Sequence, residues 1–340
     1  MKTIIDVAKL AGVSKSTVSR VISGKGSIRP ETRARVEEAM AALNFVPNQM
    51  ARGIRTGRTN TIALIIPEST NLYYNELLYH IEAIAREHNY MVVLCIGGSE
   101  PSRTTQYITW LQQRNVDGMI YCFYCENEVT ESLYRLSATT PIVFLDNPLG
   151  TRPDTSYVGA DGAADIAGVI RELHRGGAES IAFIGIKEIS NNIYRFMGYR
   201  AGLSACGLPY DPALVGMIPL EEALTTVHFE LGYRAAKRFM AQKRRPDAIV
   251  AATDVLAIGA LRYCHEAGIA VPGEVSIAGY DNILLSTQVS PALSTVAQPV
   301  DEIAREAMDI LLHKIEVDNG YNRSALMKST FIPRGSTRLP

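Results

Sequence analysis

The chain has 340 residues, 47% of them hydrophobic and 20% charged, so it is long enough to bury more than one core. Its formal net charge of −1 hides an asymmetry: residues 1–60 carry eleven Lys and Arg against four Asp and Glu, and the remainder carries 23 against 31. A basic head on an acidic body indicates that the head binds a polyanion and argues against that role for the body.

The sequence also bears on compartment and chemistry. No apolar run is long enough to span a membrane, and residues 1–6 lack the apolar core of a signal peptide, so we expect a cytoplasmic protein without a membrane partner. The five cysteines fit a reducing compartment. Cys122 and Cys125 have the spacing of a redox pair or half a zinc site, but without a second pair we interpret them as ordinary thiols. We predict no cofactor and no metal.

Residues 1–46 predict three short helices. Thr3 with Asp6 forms a capping box before the first helix, and Ser14 is placed to cap the second. Pro30 suits the first turn of the third helix. The predicted inward faces are Ile4, Val7, Ala8 and Ala11, then Val18, Val21 and Ile22, then Val36, Ala39, Met40 and Leu43. Two helices joined by a tight glycine turn, with a third to close the core, indicate a helix-turn-helix DNA-binding domain.

The outer face of the second helix is polar and basic. Ser16 and Arg20 are four residues apart and point the same way. The Arg20 guanidinium is suited to the O6 and N7 atoms of a guanine in a major groove. The alternative is a solvated basic face without a DNA contact, and the helix-turn-helix pattern and the local positive charge argue against it. The predicted contacts of this helix with DNA are Ser14, Lys15, Ser16, Thr17, Ser19 and Arg20.

The body, residues 61–340, alternates strands and helices in two series. The apolar run at 61–67 is typical of a buried parallel strand. The first series predicts strands at 61–67, 91–96, 118–121 and 142–145 with helices at 73–88, 102–114, 128–137 and 162–175; the second predicts strands at 180–184, 248–251 and 275–279 with helices at 195–206, 228–242 and 254–267. We therefore predict an α/β body of two doubly wound parallel sheets.

The last segment of the chain is expected to complete both lobes. It predicts a strand at 295–296, a helix at 300–316 and a strand at 326–332. We assign the first lobe to residues 61–160 and 291–320, and the second to 161–290 and 321–340. A two-lobed body of this kind closes on a small ligand by a hinge motion.

Open parallel sheets bind ligands beyond the carboxyl ends of their strands, so the polar residues there are the candidate ligand contacts. In chain order they are Asn71, Tyr73, Tyr74, Asp146, Asp161, Asn191, Asn192, Arg195, Thr253, Asp254, Tyr280, Asp281 and Asn282. Carboxylates, a guanidinium and aromatic rings together suit a polyhydroxylated ligand. Each has an alternative: Asp161 and Asp254 suit helix caps, one of the two adjacent tyrosines suits the core, and Arg195 suits a salt bridge between the lobes.

Several motifs together resemble the LacI/GalR repressor family. In the head they are Thr3-Ile4-Ile5-Asp6-Val7-Ala8-Lys9-Leu10-Ala11-Gly12-Val13-Ser14, Ser16-Thr17-Val18-Ser19-Arg20-Val21, Thr32-Arg33-x-Arg35-Val36, Pro47-Asn48 and Thr56-Gly57-Arg58-Thr59. In the body they are Arg195 with Gly198-Tyr199, Thr253-Asp254-x-x-Ala257-x-Gly259, Gly279-Tyr280-Asp281-Asn282, and Pro291 to Thr295 with Gln298. The resemblance implies a periplasmic-binding-protein-like, effector-binding body.

The resemblance also implies a hinge helix within residues 47–60. Two copies would pair in the minor groove of an operator, with Ile54 inserted at a central base step. So short a helix does not persist alone in water, and Gly53 weakens it by about 1 kcal/mol relative to Ala. We therefore expect it to fold on DNA. The predicted hinge contacts are Asn48, Met50, Arg52, Ile54 and Arg55.

The resemblance extends to individual positions in the effector site. Asp281 is the central one, and Thr253 stands where the family often has Asn. Val227 stands where the family often has an aromatic platform. The predicted effector contacts are Tyr73, Tyr74, Asp146, Asp161, Asn191, Arg195, Val227, Thr253, Asp281 and Gln298.

The sequence thus predicts an effector-controlled regulator of transcription, with a repressor favoured. No metal helix, phosphate loop or nucleophile elbow is found, so no enzyme is predicted. A homodimer without a tetramerising heptad would bind a near-palindromic double-stranded operator. The effector is expected to be a carbohydrate, with sugar acids, sugar phosphates and nucleosides as alternatives, acting as inducer or corepressor. The alternative function for the body is that of a solute-binding protein of a transport system.

Overall fold

The computed structural model describes residues 2–23, 27–45, 58–67, 71–97, 101–122, 128–146 and 152–338. The chain divides into two compact units, Met1–Thr59 and Asn60–Pro340. The predicted hinge helix and its contacts Asn48, Met50, Arg52, Ile54 and Arg55 lie outside the described residues.

The first unit contains three helices, α1 (Ile4–Ala11), α2 (Lys15–Ser23) and α3 (Pro30–Ala42). The predicted capping box is present: Thr3 Oγ1 accepts from the Asp6 amide at 3.4 Å, and Asp6 Oδ2 accepts from the Thr3 amide at 2.8 Å. Gly12 ends α1 at φ 63°, a left-handed conformation that glycine adopts without steric cost. Val7, Val18 and Val36, one from each helix, are fully buried in a shared core. The predicted three-helix arrangement is confirmed.

The second unit is an α/β structure with two sheets, and its elements begin with those of the first half. These are β1 (Thr61–Ile66), α4 (Leu72–Glu87), β2 (Met91–Ile96), α5 (Pro101–Gln113), β3 (Gly118–Cys122), α6 (Glu128–Ser137), β4 (Ile142–Leu145), β5 (Ser156–Ala160) and α7 (Gly162–Arg175).

The second half of the unit follows in the same alternating manner. It contains β6 (Ile181–Ile186), α8 (Ser190–Ala205), a 3₁₀ turn (Pro212–Leu214), β7 (Val215–Ile218), α9 (Leu220–Thr225), α10 (His228–Met240), β8 (Ala248–Ala251), α11 (Asp254–Glu266), β9 (Ser276–Asp281), α12 (Leu285–Gln288), β10 (Ser294–Ala297), α13 (Val300–Glu316), β11 (Ser324–Met327) and β12 (Thr330–Ile332). No helix among the described residues is long and apolar enough to cross a membrane.

Each lobe is organised around one six-stranded sheet. The strand orders are β11-β5-β4-β3-β1-β2 in the first lobe and β12-β10-β9-β8-β6-β7 in the second. The described strand pairs are parallel except β10 with β12, which is antiparallel. The α/β class with two doubly wound sheets is confirmed. Parallel order brings the carboxyl ends of neighbouring strands to one edge of each sheet, which is where a ligand site is expected.

Two strands near the end of the chain belong to the opposite lobe from the one predicted. β10 pairs with β9 in the second sheet, and β11 pairs with β5 in the first. The approximate assignment of 291–320 to the first lobe and of 321–340 to the second therefore does not hold for β10 and β11. The predicted strand at 326–332 is two strands in different sheets, because the chain crosses between the lobes after Met327. Four-residue strands carry too little periodicity to reveal such a crossing.

Two further boundaries change where site residues lie. α8 begins at Ser190 and not at Arg195, so Asn191 and Arg195 share a helix. β9 extends to Asp281, which places this residue at the end of a strand and not in the following loop. Sequence analysis also missed β7, α9 and α12, which are all of four to six residues.

Glycine allows α10 and α11 to pack in backbone contact. A Cβ at Gly259 would lie 1.9 Å from the Phe229 carbonyl oxygen and 2.9 Å from the Tyr233 amide. Both obstacles are main-chain atoms of α10, which cannot move independently of the helix. The second lobe therefore requires the absence of a side chain at this position.

We predict that Gly259→Ala destabilises the protein by about 1–3 kcal/mol, because the new methyl group overpacks the contact between the helices. Gly168→Ala is the matched control: its Cβ would meet only Arg171 Nη2, at 3.7 Å. This change in the interior of α7 should stabilise by about 0.5–1 kcal/mol. Denaturant unfolding monitored by circular dichroism measures both, and two shifts of the same sign would contradict the packing argument.

Candidate functional site

The outward face of α2 is the candidate nucleic-acid interface. Lys15, Ser16 and Arg20 are exposed, and Thr17 and Ser19 are half-buried. Ser14 caps the helix as predicted, since its Oγ accepts from the Thr17 amide at 3.1 Å. The same Oγ lies 2.7 Å from Ser16 Oγ and 2.8 Å from Thr17 Oγ1, so a cluster of hydroxyls surrounds the first turn of the helix. Hydroxyls and main-chain amides at a helix start are groups that hold a phosphate.

The body has a cleft at the carboxyl ends of its strands, which we call the main chamber. Its lining comes from both lobes and from the crossing segment after β10. The lining residues are Asn71, Tyr73, Tyr74, Ile186, Ile189, Asn191, Asn192, Arg195, His228, Thr253, Asp281 and Gln298. Seven of the ten predicted effector contacts are among them, which leaves Asp146, Asp161 and Val227 outside this chamber.

A buried guanidinium and a buried carboxylate dominate the main chamber. Arg195 and Asp281 are each 4% exposed, and Arg195 Nη2 lies 3.6 Å from Asp281 Oδ1. Arg195 Nη1 donates to the Ala252 carbonyl at 2.6 Å, and its Cζ lies 3.6 Å from the centre of the Tyr280 ring. These contacts all lie in the second lobe, so among the described residues the ion pair of Arg195 is with Asp281 of its own lobe and not across the lobes, which was the alternative. A charge this deeply buried is tolerated only when it is paired in this way.

Two amides link Asp281 to other parts of the body. Gln298 Nε2 donates to Asp281 Oδ1 at 2.9 Å, and Asn71 Nδ2 donates to Asp281 Oδ2 at 3.3 Å. Gln298 lies in the segment that crosses between the lobes, and Asn71 lies in the first lobe. Asp281 is therefore a point where the second lobe contacts both the first lobe and a crossing segment.

The turn that carries Asp281 has an unusual backbone. Asp281 has φ 116° and Asn282 has φ 56°, both in the region that favours glycine. Buried Asp254 holds the turn, since its Oδ2 accepts from the Ile283 amide at 2.9 Å and its Oδ1 from Thr295 Oγ1 at 2.6 Å. The alternative that Asp254 caps its helix was wrong, because Thr253 is the cap. Backbone strain of this kind costs of the order of 1–3 kcal/mol and persists when the surroundings over-determine it.

A second, smaller chamber adjoins the main one and shares Asn191, Arg195 and Gln298 with it. Its other lining residues are Asp146, Tyr157, Ala160, Gly162, Tyr194 and Tyr280. Tyr73 donates its hydroxyl to Asp146 Oδ1 at 3.4 Å, which connects Asp146 to the main chamber.

Asp146 is the carboxyl group of this chamber whose protonation is most altered. Burial raises its pKa from 3.8 to about 6, the nearby Asp281 adds to the rise, and Arg195 opposes it. Asp146 also has φ 63°, so its backbone is strained as well. The second chamber therefore holds a carboxylate that is costly to ionise and that a bound polar group could stabilise.

The structure does not bring two predicted effector contacts into either chamber. Asp161 caps α7, accepting from the Ala164 amide at 3.0 Å, as its alternative proposed. Val227 is 68% exposed just before α10, and the next residue, His228, lines the main chamber instead. The effector roles of the other eight residues stay predictions.

Tyr280, one of the candidates at the strand ends, lines the second chamber, whereas Tyr157 was not among the predicted site residues. Its side chain belongs to a buried strand, and no local pattern distinguishes a core tyrosine from one that faces a cavity. A tyrosine hydroxyl needs a partner when it is buried, and that requirement was the one available signal.

The described cysteines Cys95, Cys122, Cys206 and Cys264 are free thiols, while Cys125 lies outside the described residues. Among the residues that the structure describes, no group of three or more His, Cys, Asp or Glu side chains is arranged to hold a metal ion.

Comparison with known proteins covers both units. A family model for bacterial regulatory proteins of the lacI family matches residues 3–48, and one for a periplasmic binding protein-like domain matches residues 170–337. The ribose operon repressor of Escherichia coli (strain K12) is 29% identical over 99% of this chain and 100% of its own length. Catabolite control protein A of Priestia megaterium is 31% identical over 93% of this chain and 94% of its own.

Solved structures agree over nearly the whole chain. The transcriptional regulator CelR in complex with cellobiose is 27% identical, with a TM-score of 0.74 over 99% of this chain and 100% of that one. The lac repressor dimer bound to operator and the anti-inducer ONPF is 22% identical, with a TM-score of 0.87 over 99% of both chains. The second likeness shows the fold alone.

We predict that Asp146→Asn stabilises the protein in a pH-dependent manner. Because the pKa of Asp146 is raised from 3.8 to about 6, the wild type loses stability as pH rises through that interval. The asparagine has no such penalty, so the difference in unfolding free energy between variant and wild type should grow between pH 4 and 7 by roughly 2–3 kcal/mol. Urea unfolding at pH 4, 5, 6 and 7 measures it, and a difference independent of pH would refute the assignment.

Proposed function

The chain belongs to the lacI family of bacterial regulatory proteins, and from this premise we propose that its first unit binds DNA and its second unit binds an effector. It is a DNA-binding transcriptional regulator of the repressor type, with α2 as the element that recognises an operator. The body binds a small effector in the two chambers and thereby controls operator affinity. The family membership of the head sets the chain apart from a solute-binding protein of a transport system, which was the alternative.

Charge and shape support α2 as the operator-binding element. The turn at Gly12 and the core of the three valines fix α2 with Lys15, Ser16 and Arg20 pointing outward. An arginine on such a helix can donate two hydrogen bonds to one guanine, while the hydroxyls around Ser14 are placed for phosphates. Residues 47–60 would supply the minor-groove contacts, with Ile54 as the inserted side chain.

The buried Asp281, with Arg195 and two amides around it, is the observation that carries the effector assignment. A carboxylate and a guanidinium side by side can bind adjacent hydroxyls of one sugar ring, because one accepts and the other donates. Tyr73 and Tyr74 add aromatic surface beside them. The ribose and cellobiose in the names of the two relatives above are neutral sugars, and we propose the same class for this chain.

The charges of the chambers favour a neutral ligand over a sugar acid or a sugar phosphate. Among the described lining residues, Asp146 and Asp281 are accompanied by a single guanidinium, that of Arg195, which already contacts Asp281, the Ala252 carbonyl and the Tyr280 ring. An anion would place a further negative charge among these carboxylates, at a cost of about 4 kcal/mol for each like pair at 4 Å near a protein surface. A neutral sugar avoids this repulsion.

We propose a homodimer that uses the edge of the first sheet. β2 is an edge strand, and its Met91 and Leu94 are 69% and 39% exposed. Tyr79, on the neighbouring helix α4, is 70% exposed. An edge strand with exposed apolar side chains is a surface that proteins normally cover, and a second copy of the chain would cover it. We also propose that the protein is not an enzyme and acts in the cytoplasm.

Arg20→Ala should lower operator affinity by about 1–3 kcal/mol and relax the preference at one base pair of each half-site, because the bidentate contact is lost. Lys9→Ala, which removes an exposed charge from α1, is the control and should weaken all sequences alike. Selection from randomised duplexes followed by gel shifts measures both. An unchanged base preference for Arg20→Ala would exclude Arg20 from base recognition.

Neutral sugars, but not sugar phosphates, should raise the melting temperature of the protein, because a ligand that binds the folded state stabilises it. We would test ribose, glucose, galactose, cellobiose, ribose 5-phosphate and glucose 6-phosphate by thermal shift. Asp281→Asn should abolish the response, and Asp301→Asn, an exposed change on α13, should leave it intact. Stabilisation by the phosphates alone would contradict the charge argument.

A further inference from the structure

Three buried polar atoms without a hydrogen-bond partner among the described residues belong to side chains of the second chamber. They are Asp146 Oδ2, the Tyr157 hydroxyl and Arg195 Nε. Their side chains are at most 5% exposed. An unpaired buried polar group costs about 1–3 kcal/mol, and folded proteins rarely tolerate it. Three such groups around one cavity therefore indicate that it holds a small polar group, either water or part of a ligand.

The main chain beside the chamber is shaped to keep these atoms in place. A Cβ at Gly159 would lie 2.2 Å from the Tyr157 hydroxyl, and a Cβ at Gly162 would lie 3.0 Å from Arg195 Cγ. Any larger residue at 159 would displace the tyrosine hydroxyl, and one at 162 would press on the arginine. Glycine at both positions preserves the chamber and the groups that line it.

The chemistry of the three atoms specifies what fits. Ionised Asp146 Oδ2 only accepts a hydrogen bond, Arg195 Nε–H only donates one, and the Tyr157 hydroxyl does either. A hydroxyl group likewise donates once and accepts twice, so it can satisfy an acceptor and two donors together. A carboxylate or phosphate cannot donate to Asp146 and would be repelled by it.

We propose that one hydroxyl of a neutral sugar effector occupies the second chamber, and that Tyr157 is a specificity-determining contact for it. The proposal rests on the function proposed above and extends it to a residue that no motif identifies. Asp146 and Tyr157 belong to the first lobe, at the end of β4 and in β5, whereas Arg195 belongs to α8 of the second. The bound hydroxyl thus joins the two lobes.

This arrangement makes the site selective. A sugar with the hydroxyl offers a hydrogen-bond partner to this group of atoms, while an analogue without it offers none. Sites built to hydrogen-bond a substrate hydroxyl discriminate far more strongly than sites that recognise an extra methylene. Tyr157 therefore contributes to the choice among sugars and not merely to the core of the first lobe.

The test compares Tyr157→Phe with Tyr199→Phe, which alters another buried tyrosine. Tyr199 is 0% exposed, and its hydroxyl donates to the Ile181 carbonyl at 2.8 Å, so it is a fully paired counterpart. In the ligand-free protein, Tyr199→Phe should lower the melting temperature because it removes a hydrogen bond between two protein groups, and Tyr157→Phe should lower it less. A loss for Tyr157→Phe as large as that for Tyr199→Phe would show that the Tyr157 hydroxyl has a protein partner, and would overturn the proposal.

Calorimetric titration with ribose, glucose, galactose and cellobiose supplies the binding readout. For a sugar that binds the wild type, Tyr157→Phe should weaken affinity at least tenfold, and Tyr199→Phe should leave it unchanged. One monodeoxy analogue of that sugar should lose a similar factor with the wild type and bind Tyr157→Phe with little further loss. This non-additivity identifies the hydroxyl that contacts Tyr157.

The outcomes separate the two proposals. If sugars bind the wild type and Tyr157→Phe equally well, the function stands and the role of Tyr157 is refuted. If none of the four sugars binds the wild type while other ligands do, the sugar assignment fails, and the proposal for Tyr157 fails with it.

Discussion

The burial of the Arg195 guanidinium is the constraint on which the effector-binding half of this protein depends. A charge removed from water must be paired, and here the partners are the Asp281 carboxylate, the Ala252 carbonyl and the face of the Tyr280 ring. These partners come from the ends of two neighbouring strands, β8 and β9, and Arg195 comes from the helix after β6. The parallel order of the second sheet is what brings them to one edge, so the fold of the lobe and the chemistry of its cleft have a common origin.

The same region holds several features that are costly in the ligand-free protein. Asp146, Asp281 and Asn282 have positive φ, the Asp146 carboxyl is buried with a raised pKa, and the Tyr157 hydroxyl has no partner among the described residues. Features of this kind also occur away from the chambers, at Glu188 with φ 64° and at the buried Asn319 Oδ1, but the cleft holds several of them side by side. Several such costs at one cleft are typical of a binding site, because a ligand offsets them and the rest of the fold supports them.

Two binding sites alone do not make a regulator, because effector binding must also change the affinity for the operator. The cleft suggests where this coupling originates: Asn71 from the first lobe and Gln298 from a crossing segment both donate to Asp281 of the second lobe. A ligand that replaces or strengthens these contacts favours one arrangement of the lobes over another. The head must hold α2 with its polar face exposed. It does so with a small hydrophobic core of its own, formed by the three helices.

Local sequence patterns determined most of the secondary structure and the two-part plan. Apolar strand runs, the Thr3–Asp6 box, Ser14 and Pro30 act over a few residues, and the charge asymmetry separates head from body without any structure. The family motifs located most of the cleft residues, whereas Tyr157 lay in a strand with no motif. Only the tertiary structure decided that β10 belongs to the sheet of the second lobe and β11 to that of the first. It also decided that Asp161 caps a helix and that Tyr157 and Arg195 line one chamber. These outcomes depend on contacts between distant segments, and neither hydrophobic period nor capping rules encode which buried side chain meets a cavity.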